Sequence, residues 1–561
     1  MVGFQRPRPD RLAAYLFVLT AATVPYLGTL DYPFLHDDQW AVVNNPLVTG
    51  PLDVAAILSS DAWGNDPEHE NGPNYRPLSV LTLAATHSLC GLDPFAYRVT
   101  NLALYAVVTL LVLWVLLRLQ VPVFIATLCA IWFAWQPVHT EVVLFVVNRE
   151  ELLCATFWIL ALVVILERSG LVPAGMRRDW RPLSLAALAL CTLLALLSKE
   201  LGATIPFAAF AIGLAWPGDQ PRSRQAVLPA AVSALMLIAY LGLRVRAIEH
   251  LLAEAIPWQD NPLVRAGTAE RIAGAMAVIF EAFRTLLAPV FLTVDYGFNV
   301  LGIPGPEVPW RAVAGFGVTV ALVGVAVWGA RAGRSIPALG VLLLALAWAP
   351  VSHLAFPASI LFADRLLFLP SVGATIAIAG LWGWPDAPGP VGRAQAAAQN
   401  RILMKLGLAA LAVWTVAFAW LTFERAGDYR DAKTLFASSL RNRPGSTRLH
   451  NNLGLALFRE GRWLDAERHY RMALSIDPEN AEAHNNLGIW LAGAGRPGSA
   501  ADEFLKALAI RRNMRAAWGN LCRLLVSQQR LDQAKEVCRE ALARGAPVED
   551  VMESLRRPTI P

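Results

Sequence analysis

The sequence predicts an all-α chain in two parts, a helical membrane domain of many spans followed by an α-solenoid of short repeats. Three observations predict it. Apolar runs recur from residue 12 to residue 423, each near the length of about 20 residues that crosses a bilayer as a helix. Charge is unevenly spread: 39 of the 138 residues from Glu424 onward are charged, against 52 of the 423 before it. The tail also repeats itself every 34 residues.

The first part follows from the apolar runs. They lie at about 12–30, 95–117, 121–139, 150–166, 183–198, 201–216, 226–246, 273–292, 311–330, 336–353, 365–384 and 402–423. Loop charge orients them. Arg6, Arg8 and Arg11 place the N-terminus inside, and no AxA-like cleavage site follows, so the first run reads as an uncleaved anchor. Segment 31–94 then lies outside; it holds nine acidic residues and one basic one, Arg76. Loops 168–181 and 217–225, rich in arginine, fall inside on the same count. Keeping Arg331, Arg334, Arg393 and Arg401 inside as well requires that 273–292, which contains Glu281 and Arg284, does not cross. Eleven crossings put the tail outside; a twelfth would put it inside. The domains are expected at 1–423 and 424–561.

The second part follows from the period. Asn452-Leu453-Gly454 recurs as Asn486-Leu487-Gly488 and as Asn520-Leu521-Cys522. Ala432, Ala466, Ala500 and Ala534 keep the same spacing, as do Leu440, Leu474, Leu508 and Leu542. A 34-residue unit with small residues at fixed places is the tetratricopeptide pattern, a helical hairpin that stacks into a solenoid. Units are expected near 446–479, 480–513 and 514–547, with a half unit at 431–443 that takes the last membrane helix as its missing partner. Asn452, Asn486 and Asn520 share one position on the groove-lining helix. An amide both donates and accepts, so the three form a candidate ladder for an extended peptide, although asparagine is also simply tolerated at such a polar position.

The net charge of +5 arises wholly in the tail, with 22 basic and 17 acidic residues, and contains no run that would grip nucleic acid. None of the six cysteines forms a CxxC pair, which excludes the common zinc and redox motifs. Cys90, Cys129, Cys154 and Cys191 lie in or near apolar runs, where a small packed hydrophobe is expected. No cysteine pairing is predicted.

The chemistry points to Phe34-Leu35-His36-Asp37-Asp38-Gln39-Trp40. Two carboxylates at the mouth of a membrane helix are costly to keep without a use, though an isolated pair is ordinarily a solvated helix end.

Further stretches, in order, are Asn44-Asn45, Asn74-Tyr75-Arg76-Pro77-Leu78-Ser79, Gly91-Leu92-Asp93-Pro94-Phe95, Gln136-Pro137-Val138-His139-Thr140-Glu141, Asn148-Arg149-Glu150-Glu151-Leu152, Ser198-Lys199-Glu200 and Ala363-Asp364-Arg365 with Leu369-Pro370-Ser371-Val372-Gly373. With Asp37-Asp38 this set resembles the multi-spanning O-mannosyltransferases that carry C-terminal tetratricopeptide repeats, within the GT-C class of glycosyltransferases. Asn148 stands where that family has glycine and Asp364 where it has glutamate, and relatives usually carry more repeats.

The resemblance implies an inverting enzyme that moves a sugar, usually mannose, from dolichyl or undecaprenyl phosphate to a serine or threonine hydroxyl of a protein or peptide held by the repeats. Such a hydroxyl needs a base in hydrogen-bond reach; Asp37 is preferred over Asp38, with the choice between them open. The leaving phosphate needs preorganised cations, for which Lys199, Arg365 and Arg76 are candidates, each of which could equally snorkel or pair locally. His139 and Glu141 are expected to position the acceptor. No metal or other cofactor is required, although His with carboxylates would suit a divalent ion.

Membrane lipid is the expected surroundings. The Ala-, Leu- and Arg-rich composition suggests a bacterial cytoplasmic membrane with site and repeats on the periplasmic side; a eukaryotic chain would place them in the endoplasmic reticulum lumen. Two readings compete: a lipid-linked oligosaccharide ligase or polymerase, and a non-catalytic membrane scaffold for the repeats. A transporter would show an inverted repeat, and none is evident.

Overall fold

The computed structural model describes residues 9–64, 74–172, 180–216, 221–248, 256–297, 300–302, 308–382 and 394–556. Among the described residues all regular structure is helical. The chain divides into two compact units, one ending at Asp431 and one running from Ala432 onward and including Thr293–Leu301. Sequence alone placed this boundary near 424; the difference is the end of the last long helix, Ala394–Asp428, which stays with the first unit.

In the first unit six helices are long and apolar enough to cross a membrane: Pro9–Thr29, Pro94–Arg118, Ser223–Ile248, Pro309–Arg331, Asp364–Trp382 and Lys405–Asp428. The unit is a multi-pass membrane domain. Pro94–Arg118 shows how local sequence sets such an element. Asp93 caps its start by accepting the Phe95 N–H at 3.1 Å, and Pro94 occupies the first turn, where no N–H is needed.

Two segments differ from the sequence reading, and a third is one already expected not to cross. The run 121–139 breaks into Val123–Ala134 and Pro137–Leu144, bent by 49°, because Pro137 cannot donate to the preceding turn. Segment 31–94 contains an apolar helix, Pro77–Cys90, that ends on Gly91 at φ +63°; its 14 residues are too few to register as a span. Thr268–Leu287 is amphipathic, with buried Glu281 bonded by Arg284 at 2.6 and 2.9 Å, and does not qualify as a span.

In the second unit helices pair as Thr447–Arg459 with Trp463–Ile476, Ala481–Gly493 with Pro497–Ile510, and Arg515–Ser527 with Leu531–Ala543. Ser446 and Asn480 cap the first two pairs through the backbone N–H of Leu449 and Ala483. Each hairpin turns through a left-handed residue, Gly461, Gly495 and then Gln529 at φ 58°. The hairpins lock at one contact. A Cβ on Gly454 would lie 2.7 Å from the Tyr470 ring, and one on Gly488 would lie 2.6 Å from the Phe504 ring. At the same two positions of the third hairpin stand Cys522 and Cys538, joined by a disulfide. Ahead of the hairpins, Ala432–Asn442 and the segment Thr293–Leu301 close the end of the core: Ser439 Oγ accepts the Val294 N–H at 3.4 Å and Asp295 accepts the Ser446 hydroxyl at 2.6 Å. A solenoid needs such a capping surface at each end.

Candidate active site

The two aspartates have opposite environments. Asp38 is fully buried and accepts the backbone N–H of Val147 at 2.9 Å and that of Leu35 at 3.4 Å. Its carboxyl is pushed up to about 6, chiefly by burial, against the pull of Arg98 and of those two N–H groups. Asp37 keeps a third of its side chain exposed, and its Oδ1 lies 2.6 Å from His36 Nδ1. His36 itself sits in the left-handed region at φ 47°, a conformation that costs a non-glycine residue roughly 1 kcal/mol or more.

This loop is tied from below. Buried Arg98 donates through Nε to Tyr32 O at 3.0 Å, through Nη2 to Pro33 O at 2.6 Å, and through Nη1 to Leu144 O. Asn45 caps the short helix Pro46–Thr49 and donates to Ala62 O at 2.9 Å. Arg149 is likewise consumed by Asn101, Thr82, Thr86 and the Tyr97 carbonyl. These groups build the floor rather than the reacting surface.

A charged cluster stands in the same unit. Arg365 donates from Nη1 to Glu141 Oε1 at 2.5 Å and from its backbone N–H to Oε2 at 3.2 Å, and it feels the charge of Asp37. Lys199 binds Glu151 and, at 3.2 Å, Glu150. Arg76 bonds Glu150 at 2.6 Å and Glu200 at 3.2 Å, and Arg244 reaches Glu200 at 3.1 Å. Glu150 and Glu151 occupy the first turn of Arg149–Leu166, where the helix dipole favours anions. Four cations are thus held by four carboxylates; Glu141, Glu150 and Glu151 are nearly dry, where an unpaired charge would be expensive, while Glu200 is 38% exposed. Arg365 is the most open of the four, with 26% of its side chain exposed. A phosphate entering here would exchange a carboxylate partner for itself rather than meet a bare cation.

Of the residues singled out in the sequence, Glu141 and Arg365 form one ion pair, Lys199 and Arg76 share Glu150 in a second group, and Asp37 acts on Arg365 through its charge. His139 does not reach either group by any bond seen here. It is fully buried, its Nδ1 3.0 Å from the Tyr105 hydroxyl and its Nε2 2.9 Å from Ser371 Oγ, between Phe133 and Phe368. His36 and Arg244 were missed. Arg244 had a signal, a cation inside an apolar run of membrane length. The signal for His36 was only its place beside Asp37.

In the second unit the asparagines form a continuous amide chain. Asn451 Nδ2 donates to Asn452 Oδ1 at 3.4 Å, Asn486 to Asn451 at 2.9 Å, Asn485 to Asn486 at 3.4 Å and Asn520 to Asn485 at 2.9 Å. Asn486 and Asn520 therefore each donate to an asparagine of the preceding repeat, while the side-chain carbonyls of Asn452 and Asn486 accept from Asn451 and Asn485. A hollow of about 250 Å³ lined by Ile489, Phe504, Asn520, Arg523 and Leu524 adjoins it.

Comparison with known proteins agrees with both parts. Family models described as tetratricopeptide repeat match residues 446–513 and 491–551. The chain is 27% identical to the protein O-mannosyl-transferase TMTC3 of Mus musculus over 79% of this chain and 49% of that protein. It is 26% identical to the protein O-mannosyl-transferase F38B6.6 of Caenorhabditis elegans, over 81% and 61%. It is 30% identical to the protein O-mannosyl-transferase Tmtc2 of Drosophila melanogaster, over 51% and 30%. This chain thus spans about half the length of the first curated relatives it matches. Among solved structures, the APC/C hetero-tetramer Cut9-Hcn1 aligns at 13% identity over 86% of this chain and 90% of that chain, with a TM-score of 0.24, too low to bear on the argument. The chain is similar, over about four fifths of its own length, to the family of membrane proteins named protein O-mannosyl-transferases, and its tail is tetratricopeptide repeat.

Proposed function

We propose that this chain transfers a sugar, mannose, from a polyprenyl-phosphate donor to serine or threonine hydroxyls of a protein held by the repeats, with inversion at the anomeric carbon. The observation that carries the reading is a carboxylate one third exposed, Asp37, in the same unit as the cations held by Glu141, Glu150 and Glu200. A base for the hydroxyl and cations for the leaving phosphate are the two demands of the reaction. Asp37 is the base. Arg365, Lys199, Arg76 and the buried Arg244 receive the phosphate. Glu141 orients Arg365, and His139 holds the turn that carries Glu141. Asn452, Asn486 and Asn520 accept backbone N–H groups of the acceptor.

The reaction takes place on the outer face, in the periplasm or the endoplasmic reticulum lumen, with eleven crossings and the repeats on that side. The Cys522–Cys538 disulfide supports this side for the second unit, since such bonds persist in oxidising compartments. The test is transfer of labelled mannose from mannosyl polyprenyl phosphate to a Ser/Thr peptide by the purified full chain. Asp37→Asn should lower kcat at least 100-fold, and Arg365→Ala should raise the apparent KM for donor. Undiminished transfer by Asp37→Asn would overturn the assignment.

A further inference from the structure

His36 and Asp37 are neighbours in sequence, and regular backbone splays neighbouring side chains apart, by half a turn in a strand and about 100° in a helix. Here the left-handed turn at His36 folds its ring back so that Nδ1 lies 2.6 Å from Asp37 Oδ1. Both side chains remain one third exposed, His36 at 34% and Asp37 at 33%. The ring is backed by Phe145 at 6.3 Å, which itself meets Tyr429 edge-on at 5.2 Å. The charged groups around the pair are Arg365, held by Glu141 on the turn Asp364–Leu367, and the buried Asp38 with Arg98 beneath it. A carboxylate that takes a proton there must lose it again before the next turnover.

We propose that His36 is the proton exit of the site, acting through Asp37; this rests on the reading of Asp37 as base. The acceptor O–H bond breaks as the oxygen bonds the anomeric carbon. The bond from that carbon to the phosphate oxygen breaks, and its electron pair leaves on the lipid phosphate. The hydroxyl proton goes to Asp37, from Asp37 to an unprotonated His36 Nδ1, and from the imidazolium Nε2 to solvent, after which the ring regains its starting tautomer by proton exchange with water. The products are glycoside, polyprenyl phosphate and one released proton. The competing route delivers the proton to the departing phosphate and leaves His36 no part.

Two variants respect the backbone. Asparagine is enriched at positive φ, and glycine adopts it freely. Each is assayed in the full chain in detergent, with thermal unfolding as the check on folding. His36→Asn should lower kcat at least tenfold at pH 7 with KM for peptide and donor unchanged, and should abolish the rise of kcat between about pH 5.5 and 7.5 expected of an imidazole relay. His36→Gly should regain transfer with added imidazole, which Asp37→Asn should not. A folded His36→Asn enzyme with the parental kcat and pH profile overturns the relay, as does His36→Gly that is inactive and indifferent to imidazole. If instead Asp37→Asn transfers normally, it is the assignment of the base that fails.

Discussion

Asp38 Oδ1 accepts the backbone N–H of Val147 at 2.9 Å across 109 positions of sequence, and so staples the first outer loop to the turn Val146–Asn148. Asp37, one residue earlier, lies 2.6 Å from His36 Nδ1. The two carboxylates therefore divide into a buried, backbone-bound one and a partly exposed one, the proposed base.

That division predicts separable defects. Asp38→Ala leaves two buried N–H groups unpaired and should cost about 1–3 kcal/mol, read by thermal unfolding in detergent; Asp37→Asn should leave the midpoint unchanged and remove activity. The pH response follows from the Asp38 carboxyl, raised from its ordinary 3.8 to about 6 by burial. The fold binds that proton more tightly than the unfolded chain does, so its stabilising effect is complete below about pH 4 and is lost as pH rises through 6. Asp38→Asn should therefore gain stability relative to the parent between pH 4 and 6 and hold a constant difference above.

The ion pairs of the cluster should behave as buried pairs. Lys199→Met strands Glu151, which is 3% exposed, and should cost roughly 3–5 kcal/mol. Lys199→Met with Glu151→Gln should recover much of that stability without recovering donor affinity. A double variant that restores both would show that Lys199 serves the fold alone.

The third hairpin should depend on its disulfide. Cys522 and Cys538 are separated by 16 residues and occupy the places of the Gly454–Tyr470 and Gly488–Phe504 contacts. Opening a loop of this size removes about 3 kcal/mol in the chain-entropy account. Reductant should lower the midpoint of the repeat unit, and Cys522→Gly with Cys538→Phe, which copies the preceding hairpin, should abolish that sensitivity. An alkylation assay on membranes should find both thiols unreactive until reduced.

The first hairpin carries an acid weakness. His450 Nδ1 faces His469 Nδ1 at 3.0 Å, and both rings are held below the usual imidazole range, His450 by burial and His469 by burial and then by His450. A lowered folded value means the neutral pair stabilises the fold above the unfolded value near 6.5 and that this is lost as pH falls. The equivalent pair one repeat on is His484 with Glu503, 2.5 Å apart. His469→Glu should therefore blunt the fall in unfolding temperature between pH 7 and pH 5.

Element types were legible where a period or a composition carried them. The 34-residue spacing of Asn452, Asn486 and Asn520 placed the repeats, because every hairpin must meet the same neighbour with the same face. Apolar length revealed most of the membrane helices, and the ordered motifs pointed to the same proteins to which the chain proves similar. The short helix Pro77–Cys90 and the break at Pro137 escaped because neither length nor hydropathy marks a short or a bent span.

What the sequence determined by itself was the architecture, helices of membrane length followed by a solenoid of 34-residue repeats. Tertiary structure alone decided which of two adjacent aspartates is dry, that Arg76, Lys199 and Arg365 already hold carboxylates, that His139 lies among aromatic rings, and that Cys522 meets Cys538. The reason is physical. Desolvation and pairing depend on what is packed against a group, and the partners of these groups, such as Val147 for Asp38 and Glu141 for Arg365, come from positions 109 and 224 residues away.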